Sequence, residues 1–175
     1  MCIRDRYNGT FPPPDLPRPP SWGPPVEPSP GLTTRHWGGY AADIDPAWLE
    51  AGDNVHFAHW GRQGAQFTPI IEDAVRETQP DYVVFALGFN DLAWRYWPTD
   101  LVGIVQELVT KTRAAKPDAR FAVANVVQRL AYPSKPMLPE LTRMYNTLLE
   151  EAIPQWSTEE SPVELVRMRE CYECE

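Results

Sequence analysis

A chain of 175 residues has the size of one domain, and its apolar share of 43% against a charged share of 23% is enough to bury a core without disulfide or metal staples. No stretch approaches the roughly 18 apolar residues of a membrane span. With 16 basic against 24 acidic residues the net charge is -8, so the electrostatic footprint of a nucleic-acid or anionic-membrane binder is missing and no nucleic-acid partner is expected.

The charge is uneven, because residues 140–175 hold nine acidic and three basic side chains, a net of -6 that reads as a solvated acidic tail. Cys2, Cys171 and Cys174 lie at the two ends, so no disulfide framework organises the body of the chain. The opening Met-Cys-Ile-Arg-Asp-Arg resembles a translated sequencing adapter and is set aside from fold reasoning. Ten of the 20 prolines fall between Pro12 and Pro30, where each fixes φ and removes a backbone donor. Residues 1–30 are therefore expected to lack regular structure, as a polyproline linker, a Pro-rich docking segment, or an artefactual out-of-frame translation ahead of the domain.

From residue 31 the pattern changes. Short apolar runs at 55–60, 82–88, 120–127 and 163–166 predict strands, and the nearly continuous Val83-Val84-Phe85-Ala86-Leu87 and Phe121-Ala122-Val123-Ala124 predict burial on both faces of a parallel sheet. Between them, Ile70, Ile71, Ala74 and Val75 form one stripe of a helix over 68–78. Val102, Val105, Leu108 and Val109 do the same over 99–115. A third helix begins near Leu138 and Pro139, repeats Leu141, Met144 or Tyr145, Leu148 and Ala152, and is expected to stop at Pro154. Alternating strands and helices are the signature of a doubly wound α/β fold, a parallel sheet with flanking helices whose ligands bind at the carboxyl ends of the strands.

Two loops stand at such ends. Ala86-Leu87-Gly88-Phe89-Asn90-Asp91-Leu92 follows one strand, where the glycine allows a sharp turn and Asn90 can project its amide as a donor toward a developing oxyanion. The same residues also suit an ordinary turn in which Asn90 or Asp91 caps a following helix. Trp60-Gly61-Arg62-Gln63-Gly64-Ala65-Gln66 leads into the helix at 68–78, and Gly64 can either place a backbone N–H beside that cleft or simply serve the turn. Trp94, Tyr96 and Trp97 follow closely and suit either a substrate-binding cleft or packing of the loop on its own domain.

Together, a glycine before one helix and Gly88-Phe89-Asn90-Asp91 at the end of the next strand resemble the SGNH or GDSL hydrolase family. Thr34-Arg35-His36-Trp37-Gly38-Gly39-Tyr40-Ala41-Ala42 is similar to the helix after that family's nucleophile, and Leu141-Thr142-Arg143-Met144-Tyr145-Asn146 to its last long helix but one. The resemblance spans residues 31–167, with 168–175 left as a tail. It implies a flavodoxin-like SGNH hydrolase fold, incomplete at both ends, in a serine esterase that cleaves a small-molecule ester without a cofactor. It also implies that Gly64 and Asn90 supply the oxyanion hole.

Two blocks depart from the pattern. The family's Gly-Asp-Ser nucleophile block has no counterpart, since Pro24-Pro25-Val26-Glu27-Pro28-Ser29-Pro30 stands there and Ser29 is flanked by prolines. The family's Asp-x-x-His base follows the Asn-Asp loop, whereas His36, His56 and His59 all precede it. The chain is therefore expected to be an inactive fragment, or alternatively a non-catalytic glycan- or peptide-binding module on the same fold. His56 and His59, three apart on a strand, face opposite ways, and Cys171-x-x-Cys174 is half a ligand set, so no metal is expected.

Overall fold

Strands β1 (Tyr82–Phe85), β2 (Arg120–Ala124) and β3 (Val163–Val166) run parallel in the order β1-β2-β3. The computed structural model describes residues 62–131 and 133–171. The expected strand at 55–60, the helix at 34–42, Ser29, the three histidines, Cys174 and the proline-rich segment lie outside them. Parallel neighbours require crossovers. Helices α2 (Phe89–Trp94) and α3 (Pro98–Ala115) connect β1 to β2, α4 (Leu138–Trp156) connects β2 to β3, and α1 (Ile71–Thr78) precedes β1.

The register aligns Val83 with Phe121 and Val163, and Phe85 with Val123 and Leu165. Because side chains alternate across a strand, these six share one face, where the Phe85 and Phe121 rings meet at 5.9 Å between centroids. On the opposite face Tyr82 and Val166 are exposed and Val84 is 70% exposed, while Ala122 is half-buried and Ala124 buried. The sequence predicted burial on both faces. Apolar content in a strand records what it is fit to pack against, and among the described residues nothing buries Val84.

The helices form where their periodicity predicts them, but in α4 the buried stripe runs through Leu138, Tyr145, Leu149 and Ile153, and the expected Leu141, Leu148 and Ala152 are only half-buried. In α3, Pro98 occupies the first turn, where its missing N–H costs no ladder bond, and Leu101, Val105, Leu108 and Val109 are buried. In α4, Leu138, Tyr145 and Leu149 are fully buried. α3 packs on α1 and α4, and α4 also packs on β3.

Pro154 does not end α4, which continues to Trp156. At this position, one turn from the end, proline forfeits a single ladder bond. Continuing the turn buries Trp156, and the Ser157 N–H still donates to the Ile153 carbonyl at 3.1 Å. α1 starts at Ile71 instead of Thr68, because the Phe67 and Ile70 N–H groups bond three residues back, to the Gly64 and Phe67 carbonyls at 2.9 and 3.0 Å, and the four-residue ladder begins with the Ile71 N–H on Phe67.

Candidate active site

The site residues sit at the carboxyl end of β1. Gly88 has φ +114, and a Cβ there would lie 2.7 Å from Val126 Cγ2 and 3.1 Å from Leu101 Cδ2, so both the backbone and the space demand glycine. This turn feeds the chain directly into α2, with the Leu92 N–H donating to the Gly88 carbonyl at 3.0 Å. The stretch expected to be a loop is thus a helix beginning at Phe89. Asn90 and Asp91 lie in its first turn, where the Asp91 carboxyl also faces the Gly88 and Asp91 N–H groups at the helix start.

The facing element is the short 3₁₀ turn Gly64–Gln66, closed at its start by the Gln63 N–H donating to Gln66 Oε1 at 2.8 Å. Two side chains of α2 reach across to it. Asp91 Oδ1 accepts the Gly64 N–H at 2.7 Å, and Asn90 Nδ2 donates to the Arg62 carbonyl at 3.1 Å. Adjacent residues of α2 therefore form a two-rung ladder with a segment 27 and 28 residues away in sequence. Gly64 is buried, and a Cβ on it would stand 3.0 Å from Ile104 Cγ2, so its bareness permits the close approach.

Asn90 is half-buried, and its amide carries two hydrogens, of which the Arg62 carbonyl takes one. Asp91 is almost fully buried, and desolvation pushes its carboxyl up to about 6 against the pull of the Gly64, Asp91 and Gly88 N–H groups. Tyr145 of α4 is buried nearby. Burial first, and the Asp91 charge second, raise its pKa well above the usual phenol value, so it stays neutral. Its hydroxyl has no hydrogen-bond partner among the described residues.

Other groups fix the neighbouring strand end. Asn146 brackets Val126, accepting its N–H at 2.9 Å and donating to its carbonyl at 2.8 Å. Asn125 accepts the Arg169 N–H at 2.7 Å and donates to Glu170 Oε2 at 2.9 Å, a bond that lowers the Glu170 pKa. The 3₁₀ turn Arg169–Cys171 is thereby tied to the end of β2. Arg129 donates to the Phe89 carbonyl and lies over the Phe89 ring, 3.3 Å from its centroid.

Of the aromatic residues expected near the site, Trp94 ends α2 and Tyr96 follows it, both half-buried, with Arg95 5.7 Å from the Tyr96 ring centroid. Trp97 is 65% exposed at the entry to α3. The structure thus joins Gly64 to Asn90 through the ladder, and leaves Trp97 presented to solvent. Sequence reasoning gave Asp91 only a capping role and assigned none to Asn125 or Arg129, because their partners are distant in the chain. Among the described residues no group of three or more His, Cys, Asp or Glu could hold a metal ion, and no helix is long and apolar enough to cross a membrane.

The family model for GDSL-like lipases and acylhydrolases matches residues 21–167. The chain belongs to this GDSL-like lipase/acylhydrolase family. No curated protein matches it significantly. Among solved structures it is similar to a carbohydrate esterase of family 3 from Talaromyces cellulolyticus, at 26% identity and a TM-score of 0.53, over 61% of this chain and 50% of that one. The same figures hold for an acetyl esterase mutant solved with an acetate ion. A GDSL-like lipase from Bacteroides thetaiotaomicron shares the fold, at 17% identity and a TM-score of 0.54, over 69% of this chain and 59% of that one. The chain thus spans about half the length of the first two. Three parallel strands with flanking helices make this GDSL-family chain α/β.

Proposed function

We propose that this chain carries the oxyanion-stabilising part of an esterase that cleaves small acetyl esters of carbohydrates through a serine acyl-enzyme. The observation that carries this reading is the Asn90 amide, held beside Gly64 at the carboxyl end of a parallel strand, where such sheets bind ligands. The likeness to a carbohydrate esterase and an acetyl esterase supports the acetyl group and the sugar.

In the intact site the carbonyl carbon of the ester is attacked by the serine oxygen, and negative charge gathers on the carbonyl oxygen. The second hydrogen of the Asn90 amide donates to that oxygen. The Gly64 N–H, the second donor that the resemblance implies, is held by Asp91, so the Asn90 amide is the donor that this geometry leaves for the oxyanion. Each such donor contributes about 3–4 kcal/mol to the transition state. Trp94, Tyr96 and Trp97 supply the surface on which a sugar ring stacks. No cofactor enters this chemistry.

No Gly-Asp-Ser run occurs in the sequence and no histidine follows Asn90, so the 175-residue chain is expected to turn over no ester. Assaying the purified chain on 4-nitrophenyl acetate and on acetylated oligosaccharides tests this. Turnover that Asn90→Ala abolishes would overturn the inactivity while keeping the site. Turnover indifferent to Asn90 would overturn the site.

The exposure of Trp97 favours a second reading, glycan binding without hydrolysis. It predicts tryptophan fluorescence that saturates with acetylated oligosaccharide while the ester content stays constant. No saturation would remove it.

A further inference from the structure

Asn90 and Asp91 are neighbours on α2, and Arg62 and Gly64 are close on the facing turn. Their two hydrogen bonds therefore act on one another. The Asn90 amide is oriented by the Arg62 carbonyl, and the Gly64 N–H on Asp91 ties the segment that carries this carbonyl to α2. A buried carboxylate accepting a backbone N–H makes a short, charge-assisted bond, stronger than the neutral Asn90 contact beside it.

We infer that Asp91 is a positioning residue: by gripping Gly64 it fixes the 62–66 turn, and the turn in its place orients the Asn90 amide. This rests on the reading of Asn90 as the oxyanion donor, and it adds a residue that never touches substrate. The surroundings suit the task. Ile104 and Leu101 of α3 close around Gly64 and Gly88, Tyr145 presents a neutral phenol from α4, and Tyr96 also feels the Asp91 charge. The carboxyl is set by its burial and by the Gly64, Asp91 and Gly88 N–H groups, so its grip changes with its own proton.

The test uses the full chain labelled with ¹⁵N and reads the Asn90 side-chain amide and the Gly64 backbone amide by NMR, without any need for turnover. In Asp91→Ala the Asn90 side-chain pair is expected to collapse toward the shifts of a free amide, and Gly64 hydrogen exchange to quicken about 10- to 100-fold, the loss of one charge-assisted bond. Asp91→Asn keeps a carbonyl oxygen for Gly64 and is expected to restore the Asn90 shifts. In the native chain the Gly64 and Asn90 signals are expected to move together with pH near the Asp91 midpoint, and in Asp91→Asn to lose that titration.

An Asn90 pair unmoved in a folded Asp91→Ala, or a Gly64 amide that titrates unchanged in Asp91→Asn, would overturn the proposal. Should Asp91→Ala fail to fold, the Asp91→Asn titration decides alone. An intact ladder in a chain whose Asn90 binds no acetate would sink the esterase reading and leave the coupling standing, so the two failures are separable.

Discussion

Replacing Gly88 by alanine probes the turn that aims Asn90. The native φ of +114 lies where side chains strain the backbone, at a cost of about 1–2 kcal/mol. The added methyl would also stand 2.7 Å from Val126 Cγ2, 3.1 Å from Leu101 Cδ2 and 3.3 Å from Tyr145 Cε1. None of the three can yield cheaply. Val126 is gripped by Asn146 at both its N–H and its carbonyl, and Leu101 and Tyr145 are fully buried. Overpacking of this kind costs about 1–3 kcal/mol. Together, Gly88→Ala is expected to destabilise by about 3 kcal/mol.

Gly103 is the internal control, because it sits in exposed helix and a methyl added there would meet nothing within 4 Å, so Gly103→Ala is expected to stabilise by about 1 kcal/mol. Urea unfolding followed by tryptophan fluorescence measures both. A Gly88→Ala variant within about 0.5 kcal/mol of the native chain, or one no worse than Gly103→Ala, would refute the reasoning.

Asn146→Ala leaves the Val126 N–H and carbonyl buried without their partners, and is expected to cost about 2–4 kcal/mol in the same urea experiment; a loss under about 1 kcal/mol would mean the strand end relaxes to water. The Asp91 carboxyl, raised from 3.8 to about 6 on folding, makes the folded state bind more protons than the unfolded one in that interval. Its stability contribution is therefore full below the unfolded value and falls by up to about 3 kcal/mol as pH rises through the folded one. The difference between native chain and Asp91→Asn across roughly pH 4–7, by urea unfolding at about four pH values, is expected to show this fall, and a flat difference would contradict it. Pro154→Ala returns a ladder N–H to the last turn of α4 and is expected to stabilise by about 1 kcal/mol, checked by the thermal midpoint.

The sequence carried the elements whose signal is local. The stripe of Val105, Leu108 and Val109 is one face of a helix wherever it packs, and β3 at 163–166 lies where its apolar run lies. Pro154 misled because proline reports a lost N–H and not how near the helix end it falls. The exposure of Val84 was hidden for another reason, since an apolar strand does not say which element will cover it. At the site, Gly88-Phe89-Asn90-Asp91 was visible as a motif. Its bonds were not: the partner of Asp91 lies 27 residues away and that of Asn146 lies 20 residues away, distances that periodicity does not span.

Acetate titrated against the ¹⁵N-labelled chain at constant ionic strength, with chloride as the control anion, tests the oxyanion site most directly. The account predicts that the Asn90 side-chain amide and the Gly64 amide shift together and saturate, with the Gly64 response lost in Asn90→Ala. Acetate that moves neither signal, or moves Gly64 equally well without Asn90, would contradict it.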